Sequence, residues 1–285
     1  MIASGLALLA AMVWGTSDFL GGMAARRATP NLVLLIAHGV SLLILLGLLL
    51  VHPVALPSRH TVIAGLIAGL AGGIGLLALY KALSLGSMGL VAAVSGVLAA
   101  AVPVIVSFFS EERPSVLKLA GFAVAALAIW LIAYTPADKV HPHGLGLAVV
   151  AGICFGILLV FLHIAGKQSV FWALTFSRVA SVACAGVLVG LSFPGLRSRQ
   201  KSPQTAIRYQ TVLPIAAIAG LLDTLGNMLY TASSVSGRLD VAAVLSSLYP
   251  GGTILLAVWL LRERATRSQT VGMALAMLAV AMISA

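Results

Sequence analysis

Ten apolar runs, each long enough to cross a bilayer, follow one another from Ile2 to Ala285 with short polar breaks between them. A helix needs roughly 20 mostly apolar residues to cross about 30 Å of hydrocarbon. A chain in lipid must also satisfy its own backbone polar groups, which leaves helices or closed barrels; runs of this length fit helices. With 61% hydrophobic residues, 8% charged residues and a mean hydropathy of +1.12, no soluble fold could hide the apolar surface. The expected fold is therefore all-α, a polytopic membrane protein of ten transmembrane helices with almost no strand. The first run has no basic residue before it, so it reads as a retained span and not as a cleaved signal peptide.

The formal charge of +10 does not point to nucleic acid. The basic residues lie mostly between the apolar runs, where they mark loops and headgroup contacts, and no basic-aromatic interleaving accompanies them. Cys154 and Cys184 sit inside apolar runs and read as small packing residues.

One stretch occurs twice. Leu90 to Gly121 and Asp240 to Gly272 both carry Val-Ala-Ala-Val at the start of an apolar run and Glu-Arg in the turn after it (Glu112-Arg113, Glu263-Arg264). In both, a glycine stands nine positions after that glutamate, the mark of a duplicated unit. Trp14-Gly15 is echoed by Phe155-Gly156, His38 and Ser41 by Arg178 and Ser181, and Tyr80 by Tyr230. The most polar break, Thr135 to His143, divides the chain into residues 1–134 and 144–285, with five runs each. An odd number of spans per repeat inserts the second repeat upside down, so the expected architecture is two inverted five-helix repeats around a midplane site.

Ionisable groups within spans are costly, roughly 2.5–3.5 kcal/mol each on insertion scales, and mark candidate sites. Asp18 and Asp223 are the acidic residues well inside the runs, and His38 and Arg178 are the basic ones. Either carboxylate can bind a cationic solute group or a coupling proton. The alternative is an internal ion pair of Arg178 with Asp18 or Asp223. Asn227 follows Asp223 by one turn on the same helix face, with Tyr230 nearly a further turn on. Trp14, Tyr80 and Tyr249 are candidate cavity walls, although aromatics near span ends also serve as interface anchors. Gly65, Gly69 and Gly73 form a stripe for close helix contact, and Pro103 and Pro250 are expected to kink their helices. The Glu-Arg turns read as helix caps and loop salt bridges. His141 and His143 read as solvated linker residues, and no cofactor or metal site is expected.

Trp14-Gly15, Pro250, the two Glu-Arg turns, Gly121 and Gly272, and the segments Gly220–Asp223 and Ser246–Pro250 together resemble the EamA-type family of the drug/metabolite transporter superfamily. The resemblance covers essentially the whole chain. It implies a ten-helix carrier, monomer or homodimer, that moves a small solute by alternating access across the cell's inner membrane. A proton is the candidate coupling ion. His38 departs from the family, which often has Arg there. An integral-membrane enzyme or a channel is the alternative, but neither a metalloprotease motif nor a G-x-S-x-G nucleophile is present, and no filter-like loop is visible.

Overall fold

Isolated caps and turns begin several of the helices. Ser58, Ser115 and Ser169 each accept, through Oγ, the backbone N–H three residues on (Thr61, Lys118 and Trp172), satisfying a donor that a helix start leaves orphaned. Pro30 occupies a first helical position, where its missing N–H costs nothing. The computed structural model describes residues 2–51, 54–85, 88–110, 113–133, 142–199, 209–252 and 266–284. The helices are α1 (Ile2–Ala25), α2 (Pro30–Val51), α3 (Arg59–Leu85), α4 (Met88–Ser110), α5 (Val116–Ala133), α6 (Pro142–Gly166), α7 (Val170–Arg199), α8 (Tyr209–Ser236), α9 (Leu239–Ser246) and α10 (Arg267–Ser284). No strand occurs among the described residues. Both Glu-Arg turn glutamates, Asp138 and His141 lie outside them.

Among the described residues, six helices (α1, α2, α3, α6, α7 and α8) are long and apolar enough to cross a membrane. Shorter apolar stretches lie in α4 (Val94–Ser110), α5 (Val116–Leu131) and α10 (Thr270–Ile283). Pro103 is accommodated within the single helix α4. The ninth run differs from expectation. Its helix ends at Ser246, and helical backbone resumes only at 249–252. The cause is Pro250, whose ring clashes with the carbonyl four residues earlier, that of Ser246. The break therefore precedes the proline, where a kink at it was expected.

Large apolar side chains point outward: Leu50, Phe109 and Leu191 are all exposed, whereas Ser17, Ser41, Ser95, Ser181 and Ser246 are buried. This is the reverse of a soluble core and suits a hydrocarbon surround. Lipid tails give helices no hydrophobic reason to associate, so contact depends on small residues that let backbones approach. A Cβ at Gly69 would overlap the Ser177 carbonyl, and one at Gly220 would overlap the Ala37 carbonyl. The glycine stripe is the α3–α7 contact: a Cβ at Gly65 would come within 2.8 Å of Phe176 and one at Gly73 within 3.2 Å of Ser181. These matches rise together, so α3 and α7 run parallel. In α1 and α8 the order is opposed, since Ser17 Oγ donates to the Ala219 carbonyl and Ser233 Oγ to that of Ala3. α3 and α6 are also antiparallel, with Gly72 against Leu158 and Gly75 against Phe155.

Candidate functional site

The antiparallel pairs α1/α8 and α3/α6 face each other across a cavity with about 400 Å³ of empty space. Trp14 and Asp18 of α1 and Asp223 and Asn227 of α8 supply one wall, and Leu76 of α3 with Phe155, Leu158 and Leu159 of α6 the other. Tyr249 also lines it. An adjoining chamber of about 230 Å³ shares Leu76, Phe155, Leu158, Asp223 and Asn227, and adds His38, Ser177, Arg178 and the glycine face of α3.

An ion cluster from α2, α7 and α8 borders the two chambers. Arg178 Nη2 donates to Asp223 Oδ2 at 2.6 Å, and Nε donates to Thr224 Oγ1 at 3.1 Å. Arg178 Nη1 lies 3.2 Å from His38 Nε2, which is itself 3.3 Å from Asp223 Oδ2. His38 Nδ1 lies 2.7 Å from Ser181 Oγ, and that hydroxyl donates to the Arg178 carbonyl. With the hydroxyl proton so engaged, Nδ1 carries the imidazole hydrogen and Nε2 is left to accept from Arg178, which assigns a neutral ring. The internal ion pair between Arg178 and Asp223, one of the alternatives open from sequence, is thus present.

The other candidates separate. Asp18 lines the cavity half-buried and receives no hydrogen bond or salt bridge from any described residue; the charged group it feels is Asp223. Asn227 is 1% exposed and donates through Nδ2 to the Asp223 carbonyl at 2.7 Å, while its Oδ1 has no partner among the described residues. Tyr249 is held by Ser95, its hydroxyl 2.7 Å from Ser95 Oγ. Tyr80, expected as a cavity wall, is fully buried beside Gly21 and does not line the cavity. Tyr230 belongs to the Asp223 stripe in sequence but packs on Trp14, with ring centroids 5.8 Å apart, and donates to the Leu159 carbonyl. Of the aromatics expected at the cavity, Trp14 and Tyr249 line it while also packing on Tyr230 and bonding Ser95 respectively, and Tyr80 does not line it.

Sequence reasoning missed the apolar wall. The repeat could have found it: the step that carries Trp14 to Phe155 carries Asp18 to Leu159, and the step from Glu112 to Glu263 carries Leu76 to Asn227. It also missed Asp240, fully buried at the start of α9, where it accepts from Arg238 Nη2 at 2.8 Å and from the Val241 N–H. No group of three or more metal-ligating side chains occurs among the described residues.

Apolar membrane-length helices with buried small and polar residues between them, and with Arg178 and Asp223 paired in the interior, define a multi-pass membrane protein. The EamA-like transporter family model matches the chain twice, over residues 1–134 and 142–285. The chain belongs to that family, and so to the drug/metabolite transporter superfamily. Among solved structures, one titled "Crystal structure of protein" aligns with a TM-score of 0.74 over 99% of this chain and 98% of that one, at 17% identity. At that identity the likeness speaks for the fold alone. No curated protein matches the chain by sequence.

Proposed function

We propose that the protein is a secondary carrier of the cell's inner membrane, exporting or exchanging a small metabolite or drug-like solute. Its halves, residues 1–134 and 144–285, act as inverted five-helix repeats in alternating access. The observation that carries this reading is the pairing around the cavity. Under the repeat relation α1 corresponds to α6 and α3 to α8, so the pair α1/α8 exchanges with α3/α6. The contacts follow suit: the step from His38 to Arg178 carries Ala37 to Ser177, and the step from Glu112 to Glu263 carries Gly69 to Gly220. The close approach of Gly69 to Ser177 therefore has its counterpart in that of Gly220 to Ala37. Opposed helix directions within such exchanged pairs are what inversion requires, and a site between repeats is where such carriers bind their solutes.

Cells overexpressing the protein should release a solute that cells with equal membrane levels of Leu158→Trp do not, because the indole fills the cavity. Identical metabolite-release profiles would remove the carrier reading.

A further inference from the structure

We propose that the cavity takes an amphipathic organic cation: an ammonium group at Asp18 and Asn227, with an apolar body against Leu76, Phe155 and Leu159. This names a solute class for the site and rests on the carrier reading above.

The charge count is the first argument. Asp223 is matched by Arg178, whose guanidinium is permanently charged, at 2.6 Å. With His38 neutral, Asp18 is a carboxyl group in the same cavity with no cationic partner among the described residues. Beside low-dielectric walls and a second carboxylate such a group takes either a proton or a positive partner; no described residue supplies the partner, so the place for a cation is open to a ligand.

The second observation is independent of charge. Asn227 Oδ1 is buried and receives no donor from any described residue, although buried acceptors are ordinarily satisfied. Its Nδ2 is fixed on the Asp223 carbonyl, so the amide cannot turn to exchange the two atoms without losing that bond. An N–H donor brought into the cavity would satisfy both groups, one by charge and one by hydrogen bonding. An anion or a bare acceptor would satisfy neither.

The third is the division of the walls. At the positions that correspond to Asp18 and Asn227, the opposite wall has Leu159 and Leu76. A cavity with one polar and one apolar side fits a ligand with one polar and one apolar end.

The test is calorimetric titration of the purified, detergent-solubilised protein with phenethylammonium, phenethyl alcohol and hydrocinnamate, which share an aryl-alkyl body and differ in charge. Phenethylammonium should bind, and the alcohol and the carboxylate should bind about tenfold more weakly or not at all, as loss of a charge-assisted hydrogen bond implies. Asp18→Asn should weaken the ammonium by about tenfold and, having no partner to orphan, should melt at or above the wild-type temperature. Equal binding of the three probes, no binding of phenethylammonium, or unchanged affinity in Asp18→Asn would overturn the proposal. The probe series needs no variant, so it decides even if Asp18→Asn does not fold. Binding without flux in proteoliposomes would leave the site and sink the carrier reading instead.

Discussion

Asp223 and Asp18 are the same side chain in two different circumstances, and they should respond oppositely to the same change. Asp223 has one cationic partner, Arg178 at 2.6 Å, and that arginine is 3% exposed. Asp223→Asn would leave that guanidinium buried without a counter-charge, which costs about 3–5 kcal/mol, so the apparent melting temperature should drop by roughly 10 °C. Removing the cation as well, in Asp223→Asn/Arg178→Gln, should recover much of the loss, because the two effects are coupled. Thermal melts of the single and double variants in detergent check this; a single variant as stable as wild type would mean the pair contributes nothing to the fold. His38 completes the logic. A neutral imidazole accepts from Arg178, whereas an arginine at position 38 would set two guanidinium groups together.

Helices approach most closely here where side chains are absent, and that part of the fold was legible. Spacing by fours placed Gly65, Gly69 and Gly73 on one face, and all three meet α7. Leucine at Gly69 would have to displace the Ser177 backbone, while a Cβ at Gly47 meets nothing within 4 Å. Gly69→Leu should therefore cut the folded yield in detergent severalfold, and Gly47→Leu should not, as size-exclusion profiles will show. Equal yields would mean that the α3–α7 contact is not what holds these helices. Less legible was the break at Ser246. Hydropathy is continuous through it, and Pro250 acts on a carbonyl one turn back, so a reading by composition puts the disturbance in the wrong place. The site was legible in kind but not in arrangement. Cost in lipid singles out Asp18, Asp223, His38 and Arg178 individually, yet which carboxylate takes the arginine depends on helix neighbours. The apolar wall was invisible because leucines in a leucine-rich helix carry no signal of their own.

At the scale of the whole chain, one asymmetry follows from two symmetric halves. The repeat relation exchanges α1/α8 with α3/α6, but the acids lie on the first pair and the leucines on the second, so the frame repeats while the walls of the cavity do not. The proposed inversion of the halves has a consequence that does not depend on the site. If every run of the first half crosses the bilayer, Ile2 and Ser110 lie on one face, four spans apart, and His143 lies on the other, after a fifth. Single-cysteine variants at these positions, each with Cys154 and Cys184 replaced by alanine, can be treated in intact cells with a membrane-impermeant maleimide. Ile2 and Ser110 are exposed helix ends and His143 begins α6, so all three should be reachable from their own side. The expected outcome is that the Ile2 and Ser110 variants label alike and the His143 variant oppositely, with all three labelled once the membrane is permeabilised. If Ser110 instead labels with His143, α5 does not cross between them, the first half holds fewer than five spans, and inverted five-helix repeats cannot describe the protein.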